Sequence, residues 1–173
     1  MAPIRRIKNH FYYKDLEKQK RDASPHHSDN PLTKILFLLP EDALSVLEAF
    51  HDFTRKWNDG DTNPDIIVLG ADKSAFQDRA DFIYLTKKDV DWKGVVQEAK
   101  VRGVLEKTYD LLINMDRESR RPLEHLSASV SANIKIGLRE TKHKIYDILV
   151  ETESSDMRKN LWAIDDILTK LQV

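Results

Sequence analysis

Residues 34–40 read Lys-Ile-Leu-Phe-Leu-Leu-Pro, five apolar side chains in a row with no polar alternation, closed at once by proline. A surface helix or a half-exposed strand would interrupt such a run. It therefore reads as a strand covered on both faces, the habit of parallel sheets. Glu41 and Asp42 suit the positive end of a following helix. Val46, Leu47, Phe50, Phe53 and Trp57 line one face of that helix, which stops near Asn58-Asp59-Gly60. After Pro64 comes a second apolar run, Ile66-Ile67-Val68-Leu69, closed by Gly70. Strand, helix and strand in about 35 residues make a βαβ unit.

The pattern continues with Phe82-Ile83-Tyr84-Leu85 as a short strand and an imperfect helical period over residues 93–107, interrupted by Gly94 and Gly103. Leu111-Leu112-Ile113 is a core strand. Leu123, Leu126, Ser127 and Val130 share a helix face, and residues 134–138 and 146–150 read as further strands. Met157, Leu161, Ile164, Leu168 and Leu171 form the stripe of a last helix, with Ser155 as its expected N-cap and Asp156 complementing the dipole. The sum is an α/β three-layer, Rossmann-like domain with a mostly parallel sheet of five to six strands. It spans residues 32–173. Ahead of it, residues 1–22 carry Ile4, Ile7, Phe11 and Leu16 at helical spacing among seven basic side chains and three acids, an added N-terminal basic amphipathic helix. Residues 23–31, framed by Pro25 and Pro31, are its linker.

Several chemistries are excluded. The chain has no cysteine, so disulfides, thiolate metal sites and cysteine nucleophiles fall away. Its 28 basic and 29 acidic residues leave a formal charge of −1, unlike a general nucleic-acid binder. No apolar run approaches the roughly 18 residues of a membrane span, and no apolar stretch follows the basic N-terminal residues as in a secretory signal. A cytoplasmic location is expected. The five glycines form neither a dinucleotide fingerprint nor a phosphate loop. Pro40-Glu41-Asp42 puts carboxylates where a dinucleotide-binding turn offers N–H groups, so no nucleotide cofactor is expected. Glu48/His51 and Glu140/His143 have the Glu-x-x-His spacing of carboxylate-bridged metal sites, but no four-helix frame joins them, and no metal is expected. His26-His27 reads as a solvated loop. Ser127 and Ser129 sit inside a predicted helix, away from any nucleophile elbow.

The candidate site comes from architecture. In open α/β sheets ligands bind beyond the carboxyl ends of strands, where the strand order reverses. Asn114 ends a predicted strand, Ser119 is placed to cap the next helix, and Arg117, Arg120 and Arg121 surround that helix start. Together they form an anion- or ligand-binding candidate, against the plainer reading of a connector whose arginines pair with Asp116, Glu118 and Glu124. On the N-terminal helix, Arg5, Arg6, Lys8 and Phe11 are the partner-surface candidates, for packing on the domain or docking on a protein partner. A membrane surface and nucleic acid are the disfavoured alternatives.

Tyr109-Asp110-Leu111-Leu112-Ile113-Asn114, then Pro122-Leu123, Leu126-Ser127-Ala128 and Ile134-Lys135-Ile136-Gly137-Leu138, resemble the motifs of an uncharacterised family of small bacterial proteins of similar length. Asp147-Ile148-Leu149-Val150 is similar to that family's last strand, and Leu138 stands where an aromatic is common. The resemblance implies a fold and no catalytic residues. The block from Asp110 to Leu138 also looks like the acceptor-side Rossmann half of heptosyltransferase-type glycosyltransferases, whose second domain has no room here. The expected role is a non-catalytic interaction or small-ligand-binding domain. The alternatives are an enzyme or enzyme subunit acting on a phosphorylated or sugar substrate, and peripheral binding of nucleic acid or anionic lipid through residues 1–22.

Overall fold

The computed structural model describes residues 32–58, 63–71 and 82–171. The expected N-terminal helix, with Arg5, Arg6, Lys8 and Phe11, and the linker 23–31 lie outside the described residues. Six strands form one sheet: β1 (Ile35–Pro40), β2 (Asp65–Leu69), β3 (Ile83–Leu85), β4 (Thr108–Asn114), β5 (Ser131–Gly137) and β6 (Ile148–Leu149). Every neighbouring pair is parallel, in the order β3-β2-β1-β4-β5-β6. Among the described residues the α-helices are α1 (Leu47–Trp57), α2 (Glu98–Leu105), α3 (Arg121–Ser129) and α4 (Met157–Leu171). None is long and apolar enough to cross a membrane.

The strand β1 is buried at all six positions, and its side chains divide between two cores. Ile35, Phe37 and Leu39 join the core beneath α1 and α4, with Phe50, Phe53, Leu161, Ile164 and Leu168. Leu36 and Leu38 join the core beneath α2 and α3, with Val101, Val104, Leu123 and Leu126. Two apolar faces need two helical layers, which is why the run shows no alternation. Phe37 anchors the first core. Its ring meets Phe50 at 5.0 Å and Phe53 at 5.8 Å, both edge-on, the arrangement that ring quadrupoles favour.

Polar groups fasten the amino-terminal edge of the sheet. The Asp110 carboxylate accepts the backbone N–H groups of Thr33 and Lys34, each at 2.9 Å, and the Thr33 hydroxyl at 3.0 Å. The Tyr109 hydroxyl donates to Asp65 at 2.6 Å, which ties β4 to the start of β2. Burial, and then this carboxylate neighbour, push the Tyr109 phenol well above its ordinary pKa, so it stays a donor.

Four expectations are corrected. Glu41–Val46 form a 3-10 helix before α1, because the chain turns tightly from a strand end into the helical layer. The helix expected over residues 93–107 shortens to α2. Asp91 accepts the N–H groups of Lys93 and Val95, and Val90 bridges Val96, so this stretch is a loop. The strand expected over 146–150 contracts to the two residues of β6, an edge strand with one neighbour. At α4 the cap is Asp156, not Ser155: its carboxylate accepts Arg158 N–H at 2.9 Å, and Asp156 N–H donates to Ser154 Oγ. A carboxylate is the stronger acceptor at a helix start.

The Phe37→Ala variant removes the ring that α1 packs on from both sides. It should lower stability by about 3–5 kcal/mol, read as a fall in the urea midpoint with an unchanged slope.

Candidate functional site

Chain order runs from β1 outward through β2 to β3, then returns to the other side of β1 and runs outward through β4 to β6. Connections therefore leave β1 and β4 in opposite directions, and a crevice opens at their carboxyl ends. A cleft of about 890 Å³ lies there, within the size range of small-molecule sites. Its lining comes from Glu41 and Asp42 after β1, Leu69 to Ala71 at the end of β2, the loop of Lys87, Val90, Asp91 and Gly94 after β3, and Arg120 to Pro122 at the start of α3.

Glu41 holds the β1 side together. One carboxylate oxygen accepts the Tyr84 hydroxyl at 2.7 Å and the other accepts Ala71 N–H at 3.0 Å. Gly70 permits this crossing: a Cβ there would lie 1.9 Å from the Tyr84 hydroxyl oxygen and 2.8 Å from the Glu41 carboxyl carbon. The side chain of Asp42 is not part of that strap, and the residue is exposed at the rim.

After β3, Lys87 opens a one-turn 3-10 helix held by a capping box. Thr86 N–H and hydroxyl both donate to Asp89 at 2.9 Å, while Lys88 N–H donates to Thr86 Oγ1. Burial disfavours ionised Asp89, but the Thr86 hydrogen bonds and the Lys100 ammonium outweigh it and hold the carboxyl below its ordinary value. Gly94, at φ +97°, closes the loop against α3. A Cβ there would come within 2.9 Å of Arg121 Cβ, so glycine serves both the left-handed backbone and the close approach.

Of the five residues nominated from sequence, Arg120 and Arg121 line the cleft, and Asn114, Arg117 and Ser119 do not. Arg117 turns toward the segment before α4, donating to the Ser154 and Thr152 carbonyls at 2.6 and 3.1 Å. Ser119 is no helix cap: it takes φ +52° in the loop, and Arg120 occupies the N-cap position. Asp116 braces the turn that leads into the helix. Its carboxylate accepts the N–H groups of Arg120 and Glu118 and pairs with the Arg120 guanidinium at 2.8 Å. Arg120 also pairs with Glu118, as the plainer reading of this connector expected. Asn114 supports the turn by accepting Asp116 N–H at 2.9 Å, and its amide N–H group reaches the Tyr146 and Ser127 hydroxyls at 2.7 and 3.0 Å. The helix start thus carries an internal carboxylate where a free anion was expected to sit. The signal was present in the sequence, because Asn and Asp two residues apart after a strand are turn formers that bond backbone N–H groups ahead of them.

Behind this loop is a buried polar cluster. Lys135 donates to the Ser127 carbonyl at 2.8 Å, and Ser127, wholly buried, bonds the Leu123 carbonyl. The Tyr146 ring lies over Gly137, where a Cβ would come within 2.4 Å of it. Burial raises the Tyr146 phenol above its ordinary pKa. Its hydrogen bonds with Ser127, which accepts from it, and Asn114, which donates to it, oppose the rise, and the Glu124 and Asp116 charges add to it. Ser127 is therefore a packing and hydrogen-bonding residue. Ser129 bonds the His125 carbonyl one turn back on α3. Glu48 and His51 share α1, Glu140 and His143 lie between β5 and β6, and among the described residues no three acidic or histidine side chains form a metal-sized group. Sequence reading missed Lys87, Val90, Asp91 and Gly94, which carry no motif, and treated Asp42 only as a repellent of anions.

Residues 6–171 match the model of a family of unknown function, DUF6913. No curated protein matches the chain.

The capping box makes a pH-dependent contribution. Because Asp89 titrates lower in the folded chain than in the unfolded one, its ionised form stabilises above the ordinary carboxylate pKa of about 3.9, and that contribution fades as pH falls through the folded value. Asp89→Ala should cost about 1.5–3 kcal/mol at pH 7. In urea titrations the gap from the parent chain should narrow steadily below pH 4.

Proposed function

We propose that this chain, which belongs to the family of unknown function DUF6913, is a cytoplasmic small-ligand-binding domain whose ligand sits in the cleft between the ends of β1 and β4. One observation carries the reading: a cleft of about 890 Å³ occupies the topological switch point, walled by loops from four parallel strands. Its lining offers apolar contact from Leu69, Val90 and Pro122 together with charged groups of both signs, the mixture that fixes and orients a small molecule.

Filling the cleft tests the reading. Val90 is only partly buried, so Val90→Trp places an indole in the opening without emptying a core. Native mass spectrometry of the purified chain should detect a co-purified small molecule in the parent and lose it in the variant. At a ligand concentration of 100 Kd, binding stabilises by about 2.7 kcal/mol, a melting rise of about 5–10 °C for a chain of this size. Val90→Trp should abolish that rise. A ligand retained by Val90→Trp with unchanged affinity would place binding elsewhere and end the proposal.

A further inference from the structure

We infer that residues 1–22 dock on their own chain, with Ile4, Ile7 and Phe11 seated along the groove between α1 and α4. The groove, of about 320 Å³, takes its apolar wall from Ala49 and Phe53 on α1 and from Leu161 and Trp162 on α4. Phe53 and Leu161 are buried, whereas Trp162 is 66% exposed. A lone indole in water is ordinary for a protein surface. This one stands beside a groove based on the core beneath α1 and α4, so a second apolar face laid along it would cover the indole and the groove together. In the amino-acid sequence, Ile4, Ile7 and Phe11 stand at i, i+3 and i+7 and share one face of a helix over about 10 Å. Ala49 and Lys56, which bound the groove along α1, are likewise seven positions apart. The apolar stripe and the groove match in length.

The point of attachment puts this segment beside the groove. Leu32 is buried in the core beneath α1 and α4, and the Asn58 amide, one position past α1, donates to the Thr33 carbonyl at 2.9 Å. Lys56 and Trp57, in the last turn of α1, bond Asp165 of α4. The chain therefore enters the domain at the end of the groove and on the same face of the sheet. Residues 23–31 reach about 30 Å when extended, against about 16 Å for the whole of α1. A helix before them has ample slack to turn back along the groove. Tethering sets an effective concentration in the millimolar range, which favours this occupant over a second copy at micromolar protein. The family match supports the same unit, because it begins at residue 6 and runs through most of the segment as well as the sheet.

The chain has no cysteine, so an introduced pair reports proximity without background. Lys8→Cys, next to Ile7, is combined with Lys159→Cys, an exposed position three residues before Trp162, and the full chain is treated with a short bismaleimide. Lys8→Cys with Glu106→Cys is the control, because Glu106 is exposed just past α2, in the helical layer on the other face of the sheet. The first pair should join within one chain about tenfold or more faster than the control. Phe11→Ser or Trp162→Ser, added to that pair, should bring its rate down to the control. Thermal unfolding gives a second reading. Replacing an exposed residue that nothing covers ordinarily leaves stability unchanged. Here Phe11→Ser and Trp162→Ser should each lower the melting temperature by about 2–4 °C, and the double variant should fall no further than the lower single one. Links that form only between chains identify a second copy as the occupant and overturn the inference. Equal rates in the two pairs, or melting shifts that add in full, leave the stripe to some other partner and overturn it as well.

Discussion

A strand with apolar side chains on both faces cannot be covered by a single helical layer, and β1 imposes that condition on everything around it. Phe37 needs α1 and α4 on one side, and Leu36 and Leu38 need α2 and α3 on the other. A central strand also needs two hydrogen-bonding neighbours, supplied by β2 and β4. Because β2 follows β1 through a helix on one face and β4 is approached through a helix on the other, the connections diverge where β1 and β4 end. The cleft is a consequence of burying five residues from both sides.

The strand-end loops are organised by the protein's own carboxylates. Glu41 bonds Ala71 and Tyr84, Asp89 bonds Thr86, Asp91 bonds Lys93 and Val95, and Asp116 bonds Glu118 and Arg120. Each one satisfies N–H or O–H groups that would otherwise be left open at the end of a strand or the start of a helix. This has a chemical consequence for the cleft. The N–H groups of Ala71 and Arg120, both beside the cleft, are thereby already bonded within the protein.

The motifs that carry the family resemblance have structural duties. Tyr109 bonds Asp65, Asp110 holds the entry to β1, and Asn114 supports the turn after β4. Lys135 caps the Ser127 carbonyl near the end of α3, and Gly137 leaves the space that the Tyr146 ring occupies. These residues mark how the sheet is fastened at its two ends. The cleft-lining residues after β3 belong to none of these motifs, which is why the resemblance pointed to a fold and not to a site.

Local pattern was enough to determine the α/β class, the parallel sheet and the core positions, because periodicity and unbroken apolar runs report which faces must leave water. Of the residues nominated beyond β4, Arg120 and Arg121 line the cleft, whereas Asn114, Arg117 and Ser119 do not. Cap identity, loop conformation and the composition of the cleft were decided only by tertiary structure. Arg117 looked equivalent to its neighbours in sequence, yet the carbonyls of Thr152 and Ser154, far along the chain, draw it away from the cleft. Ser119 had the chemistry of a cap, yet it stands in the loop at φ +52°, and the turn around it is braced by Asp116, whose N–H Asn114 accepts. Lys87 and Asp42 are 45 positions apart in sequence and line one space only because β1, β2 and β3 stand in register. Spatial convergence of that kind depends on strand order, a property of the whole sheet that no local spacing encodes.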